Sequence, residues 1–251
     1  MKLSQIRSRN IALFMLVASI IIYVIDYFIA GNIRDIYLGF LGNFAFLPIY
    51  VLFVTLMIER VLKEREREAL RQKLNMVIGV FFSEVGTVLI TDCSSFIREP
   101  GELSQRLRFS PQWADKDFSR VKDFLDGHEI RMDSSRGDLM ALKSFLLGKK
   151  DFMLRLLENP NLLEHDEFTD LLWAVFHLIE ELEARRSLNA LPIADMEHLS
   201  GDIKRAYNHL LREWVVYMQH LMRDYPYLFS LAVRTNPMNP EARVEIADQS
   251  L

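Results

Sequence analysis

Four of the six histidines carry an acid four residues downstream: His177/Glu181, His198/Asp202, His209/Glu213 and His220/Asp224. On a helix each pair shares one face. Imidazoles and carboxylates projecting from facing helices are the donor set of di-metal centres in helical bundles. Here that set would be His177 and Glu181 from one helix and His209 and Glu213 from its neighbour. His198, His209 and His220 also recur every 11 residues. Three turns separate successive members by roughly 16 Å, too far for one ion. The pattern departs from Glu-x-x-His spacing, and one helix pair alone offers ligands. Solvated i,i+4 pairs are the preferred account of it. The expectation is therefore no stoichiometric transition metal and no cofactor, with His177, Glu181, His209 and Glu213 as the candidate ligands if a metal is present.

Other chemistry is thinner. The lone cysteine, Cys93, rules out an intramolecular disulfide framework and any multi-cysteine metal site. It sits in TDCSS beside Asp92, with no neighbouring cation to favour a thiolate. No phosphate-cradling glycine loop and no G-x-S-x-G elbow is present. Arg136-Gly137-Asp138 matches a cell-adhesion tripeptide by chance, since its segment is expected in the cytosol. No catalytic residue is assigned, and the chain reads as a non-enzyme. The net charge of -4 over 251 residues gives no basic signal for nucleic acid. The charge is split: residues 1–90 hold 10 Lys/Arg against 7 Asp/Glu, and residues 91–251 hold 20 against 27.

The elements that must position these groups begin with two apolar runs. Residues 11–30 are 20 residues long, enough to cross roughly 30 Å of hydrocarbon. Their single charge, Asp26, lies near the far end beside Tyr23 and Tyr27, where an interfacial belt is expected. Residues 36–58 hold 23 residues without charge, with Pro48 as an expected kink. A signal peptide fits poorly, because no small-x-small cleavage site follows and a second run comes at once. The five residues Gly31 to Asp35 between the runs imply a tight antiparallel hairpin without room for a pore helix. Asp26, Gly39, Gly42 and Asn43 are the candidate membrane-helix contacts of this hairpin. Lys2, Arg7 and Arg9 precede it, and six basic residues from Arg60 to Lys73 follow it, while the link has Arg34 offset by Asp35. By the positive-inside rule both termini face the cytoplasm, from a cell membrane crossed twice.

Residues 59–73 read as a charged helical stalk, with expected pairs Glu59–Lys63, Glu64–Arg67 and Glu68–Arg71. Such a stalk is solvated all round or pairs with another copy as a coiled coil. Residues 74–90 are apolar but short for a span. Gln72, Asn75, Gly79, Ser83 and Gly86 form one small-polar stripe along them. Gly79, Ser83 and Glu84 complete the membrane-helix contact candidates. The preferred reading is a buried helix of the cytosolic domain; the alternatives are a membrane-surface helix and a third span, which would put the C-terminal domain outside, against the charge rule.

Beyond Asp92 helix signals dominate. A loop with one short helix covers 94–111, helices follow at 115–126, 133–147 and 151–158, and His128–Met132 alone has extended character but is too short to assign. Two long amphipathic helices, 166–188 and 195–223, flank a turn centred near Pro192. Tyr225–Val233 is a last helix and 237–251 a flexible tail. The expected fold is all-α: a two-span transmembrane hairpin (residues 1–58), the stalk, and a cytosolic helical bundle (74–236). The expected function is a membrane protein whose cytosolic module binds a protein partner or copies of itself, with the lipid bilayer as its surroundings and no nucleic acid. An oligomeric channel or transport component gated by the bundle is the alternative from another class. A His/carboxylate metal-binding helical protein is the third.

Overall fold

The computed structural model describes residues 2–30, 33–160, 162 and 165–245. Its elements are α1 (Lys2–Ala30), α2 (Ile33–Phe81), a π-helical turn (Phe82–Gly86), α3 (Thr87–Ser94), α4 (Gly101–Arg106), α5 (Asp115–Gly127), α6 (Leu139–Leu157), α7 (Asp166–Ala184), α8 (Ile193–Asp224) and α9 (Pro226–Arg234). Among the described residues there is no strand, and one isolated antiparallel bridge joins Ile97 to Met132. The protein is all-α. It divides into two units, residues 1–67 and 68–251.

In the first unit, α2 alone among the described helices is long and apolar enough to cross a membrane; the apolar stretch Phe14–Ile29 of α1 is shorter. The link is also shorter than its composition suggests, because Ile33 to Asp35 already belong to α2. Gly31 and Asn32, the rest of that link, lie outside the described residues. The second apolar run, the stalk and the start of the third apolar stretch are one helix rather than three segments. Nothing between Ile58 and Phe81 breaks an α-helix strongly enough to stop it: the charged segment is made of good helix formers, and one glycine costs only about 1 kcal/mol. Within the charged segment Lys63 pairs with Glu59 at 2.7 Å and Arg71 with Glu68 at 3.9 Å. Glu64 turns back to Arg60 at 3.3 Å rather than forward to Arg67.

In the second unit the core is built around α8. Its Leu199, Ile203, Ala206, Leu210, Trp214 and Leu221 are all buried, as the helical period of those residues requires. The apolar side of α7 matches it with Phe168, Leu171, Leu172, Val175, Ile179 and Leu182. Phe109 joins this core, ringed by Trp113, Phe118 and Trp214 at centroid separations of 4.8–5.7 Å. Residues 74–90 contribute Leu74, Ile78, Phe81, Phe82, Val85, Leu89 and Ile90, all buried.

The π turn explains how that stretch stays on the core. Its buried positions advance in steps of four, as Ile78, Phe82, Gly86 and Ile90, and as Phe81, Val85, Leu89 and Cys93. In a regular α-helix each such step drifts by about 40° around the axis. The wider turn, closed by the Thr87 N–H donating to the Phe82 carbonyl, absorbs the drift. Phe82 then stacks on Tyr217 at 4.9 Å and Phe81 meets Phe168 edge-on at 5.3 Å.

Three further boundaries differ from the sequence reading. Asp138, not Asp133 or Ser134, caps α6 by accepting from the Ala141 N–H at 2.9 Å. Asp133 instead closes its own turn with Ser135. Gly148 does not end α6, which runs to Leu157 because Leu142, Leu146, Met153 and Leu156 continue one buried stripe across it. The segment after α9 begins anchored: Asn236 is buried, donates to the Leu107 carbonyl at 2.8 Å and accepts from the Met238 N–H, and Met238 is buried too. Of the expected tail, residues 246–251 lie outside the described residues.

Two glycines should respond oppositely to alanine. At Gly86 an added Cβ would lie 2.4 Å from a ring carbon of Phe82, itself pinned on Tyr217. At Gly148, inside α6, it would meet nothing within 4 Å. Gly86→Ala should destabilise by about 1–3 kcal/mol through overpacking. Gly148→Ala should stabilise by roughly 0.5–1 kcal/mol through helix propensity. Thermal or denaturant melts of the full chain check both signs.

Candidate functional site

The loop between α7 and α8 is short, and Ala190 in it takes a left-handed conformation at φ 58°. Arg185, the residue after α7, ties the two helices together. Its Nε and Nη2 donate to Asp195 Oδ2 and Oδ1 at 3.0 and 2.5 Å, and its Nη1 donates to Glu181 Oε2 at 2.7 Å and to the Glu181 carbonyl at 2.5 Å. This fork-shaped pairing is what a guanidinium offers and an ammonium does not. The Arg185 bond holds the Glu181 carboxyl below the usual range against the opposing effect of burial, with His198 and His177 adding to the lowering. Glu181 is thus an anion at neutral pH.

One turn from Arg185 four side chains converge. His177 Nε2 lies 3.9 Å from Glu181 Oε1 and 3.6 Å from Asp202 Oδ1. His198 Nε2 lies 3.5 Å from Glu181 Oε2 and 3.2 Å from Asp202 Oδ2. Asp202 is 2 % exposed, and its Oδ2 has no hydrogen-bond partner. Arg205 approaches the other oxygen at 3.2 Å. The imidazoles are open to solvent while the carboxylates sit beneath them.

The structure therefore brings two of the expected ligands, His177 and Glu181, into one cluster but completes it with His198 and Asp202. The reason is hairpin register. Both pairings, 177 with 202 and 181 with 198, are symmetric about the Asn189–Ala190 bond, where the left-handed residue makes the turn. A turn centred near Pro192 would have set the opposing residues about five positions later, which is how His209 came into consideration. The signal that was available is the pair of His-x-x-x-acid motifs at mirrored distances from that turn.

His209 is half-buried, and burial pushes its imidazole down despite Asp170 and Glu167 nearby. Glu213 is 1 % exposed and lies beside the Glu167 carboxylate. Burial first, and the neighbouring Glu167 charge second, push its carboxyl up to about 7, with Lys122 opposing. The Tyr207 hydroxyl is buried without a partner, and burial raises it and the nearby Cys93 thiol alike. Neither is ionised at neutral pH, which leaves Cys93 without nucleophilic character.

The remaining candidates separate by unit. Asp26 and Asn43 line one groove of the first unit, together with Ser19 and Tyr23, and Tyr23 meets Phe40 edge-on at 6.2 Å. Nothing lies within 4 Å of where a Cβ would stand on Gly39 or Gly42. Gly79, Ser83 and Glu84 work inside the second unit. The Tyr217 hydroxyl would lie 3.5 Å from a Cβ on Gly79, Ser83 lines a shallow groove with Trp214 and Tyr217, and Glu84 pairs with Lys149 at 2.9 Å. The small-polar stripe thus faces α8, where Asn75 also meets His220 at 3.2 Å.

Glu213 gives the second unit a pH dependence of defined sign. Its carboxyl holds a proton up to about pH 7 in the folded chain and releases it from 4.5 upward when unfolded. The unfolded chain binds fewer protons between those values, so stability falls as pH rises through that window. Glu213→Gln removes this titration. Its stability relative to the parent should grow by up to about 1.4 kcal/mol per pH unit between pH 5 and 7, then level off. Denaturant titrations at a series of pH values measure it, and parallel profiles would contradict the assignment.

Both units have counterparts. A family model described as the MJ1433 C-terminal helical domain matches residues 70–234, and one described as the MJ1433 N-terminal helical domain matches residues 4–62. The chain is 42% identical over 229 residues to "Uncharacterized protein MJ1433" of Methanocaldococcus jannaschii, covering 91% of this chain and 92% of that one. No solved structure matches it. The chain belongs to the MJ1433 family of helical proteins.

Proposed function

We propose that the chain is an integral membrane protein, anchored by its first unit, whose helical second unit faces the cytosol and associates with a protein partner or with further copies of itself. The observation that carries this reading is the bare apolar surface of the first unit. Phe14, Ile22 and Phe28 on α1, and Phe44, Tyr50 and Phe53 on α2, are each more than half exposed. Apolar surface left in water costs about 25 cal/mol per Å². Continuous exposed patches of this kind mark membrane or protein contacts. Lipid covers two such helices on every side, and the basic residues flanking them set the orientation. Association is supported by large side chains left outside the second unit's core, among them Trp173 at 56% and Tyr227 at 70% exposure. Exposed aromatics of this size are common anchors of protein interfaces.

Single-cysteine labelling tests anchoring and orientation together. Cys93 is 0% exposed, so the parent chain provides a silent background for a membrane-impermeant maleimide. Asp35→Cys should label in intact cells, and Glu99→Cys only after permeabilisation. The chain should also stay with the membrane pellet through alkaline carbonate washing. Release into the supernatant, or labelling of both sites from one side, overturns the reading. Crosslinking in native membranes should give a defined oligomer or complex, and a strictly monomeric species would remove the association part.

A further inference from the structure

We infer that His177, Glu181 and Asp202, with His198 as a fourth donor, form a binding site for one divalent transition-metal ion, zinc being the best fit. The donor chemistry comes first. Two imidazoles and two carboxylates are a mixed nitrogen and oxygen set of the kind zinc takes in four-coordinate sites. Zinc sits about 2.0–2.2 Å from such atoms, which places tetrahedral ligands roughly 3.3–3.6 Å from one another. His177 Nε2 lies 3.9 and 3.6 Å from one oxygen each of Glu181 and Asp202, and His198 Nε2 lies 3.5 and 3.2 Å from the other oxygen of each. His177, Glu181 and Asp202 each present one ligand atom within 4.8 Å of the others. His198 faces the second oxygen of each carboxylate.

An independent observation points into the same place. Asp202 is buried to 98%, judged by its 2% exposure, and its Oδ2 has no hydrogen-bond partner. A carboxylate oxygen withdrawn from water and left without a hydrogen bond is costly unless a cation meets it. His198 Nε2 stands 3.2 Å away, at a distance suited to sharing an ion. The arginines complete the design. Arg185 donates to Glu181 Oε2 and is itself fixed by both oxygens of Asp195, so it orients the carboxylate as an outer-shell partner would. Arg205 is 57% exposed, so leaving Asp202 Oδ1 to an entering ion would cost it little burial. Counting Glu181, Asp195 and Asp202 against Arg185 and Arg205 leaves the network one negative charge, which favours a cation.

This site goes beyond membrane anchoring, and its failure would leave that reading untouched. The test uses the full chain in mild detergent, stripped with a chelator and titrated with zinc, then manganese, by calorimetry and by metal content after dialysis. One equivalent of zinc per chain should bind, and raise the melting temperature. His177→Gln should weaken zinc binding by about 100-fold or more, at least the loss that outer-shell changes reach. Asp202→Asn should do the same, and His198→Gln should weaken it less. His209→Gln, outside the cluster, should bind as the parent does. Because His177 and His198 are surface side chains, their variants keep the test valid if Asp202→Asn folds poorly, which circular dichroism reports. No zinc binding by the parent, or equal binding by parent and His177→Gln, overturns the site.

Discussion

Nearly everything in the second unit depends on one helix being surrounded. α8 packs against α3, α5, α7 and α9 and against the π turn. Its buried residues accordingly go most of the way round its circumference rather than forming one stripe. Each fully buried Leu, Ile, Val or Met contributes on the order of 1.5–3 kcal/mol, so α8 supplies much of the driving force for the fold. The same enclosure fixes its polar residues in place. Asp202, Tyr207 and Glu213 are inside because the turns they occupy are inside, and the chain keeps them despite the cost of burying polar groups.

How that cost is met differs along the helix. Near its start, Asp195 in the first turn suits the positive end of the helix and accepts from Nε and Nη2 of Arg185. Near its end, Arg223 in the last turn pairs with Asp115 at 2.7 Å. Between them, Asp202 faces two imidazoles and an exposed arginine, whereas burial pushes the Glu213 carboxyl toward holding its proton. One helix thus carries two buried carboxyl groups about three turns apart, one facing imidazole and guanidinium groups and the other pushed toward its neutral form.

The class of fold is legible in the amino-acid pattern. Strand signals are nearly absent, and α7 and α8 show unbroken helical periodicity whose predicted apolar residues do form the core. What stays hidden is where helices stop and how they register. Gly148 looks like a stop locally, but burial on both sides outweighs its modest cost. The charged residues from Glu59 to Lys73 look like a separate element because composition changes there, while the backbone feels only propensity and continues. Register is the harder case. A turn displaced by two or three residues moves every opposing position on the far helix by about twice as much, and nothing local to Leu191-Pro192 reveals that the reversal is at Ala190. The cluster of His177, Glu181, His198 and Asp202 was visible as two separate pairs, and their meeting followed only from that reversal.

The π turn at Phe82–Gly86 gives its segment an unusual tolerance profile. A π turn is an α-helix holding one surplus residue, so what it encodes is a count. Substitutions among apolar side chains there preserve the count. A single-residue deletion there would let the turn relax to α geometry with everything after it kept in place, whereas a further insertion would rotate everything after it by about 100°. Leu89, Ile90 and Cys93 would leave the core together, and no repacking of neighbours would retrieve them. In divergence among relatives, this stretch should therefore tolerate the loss of one residue at the turn better than the gain of one.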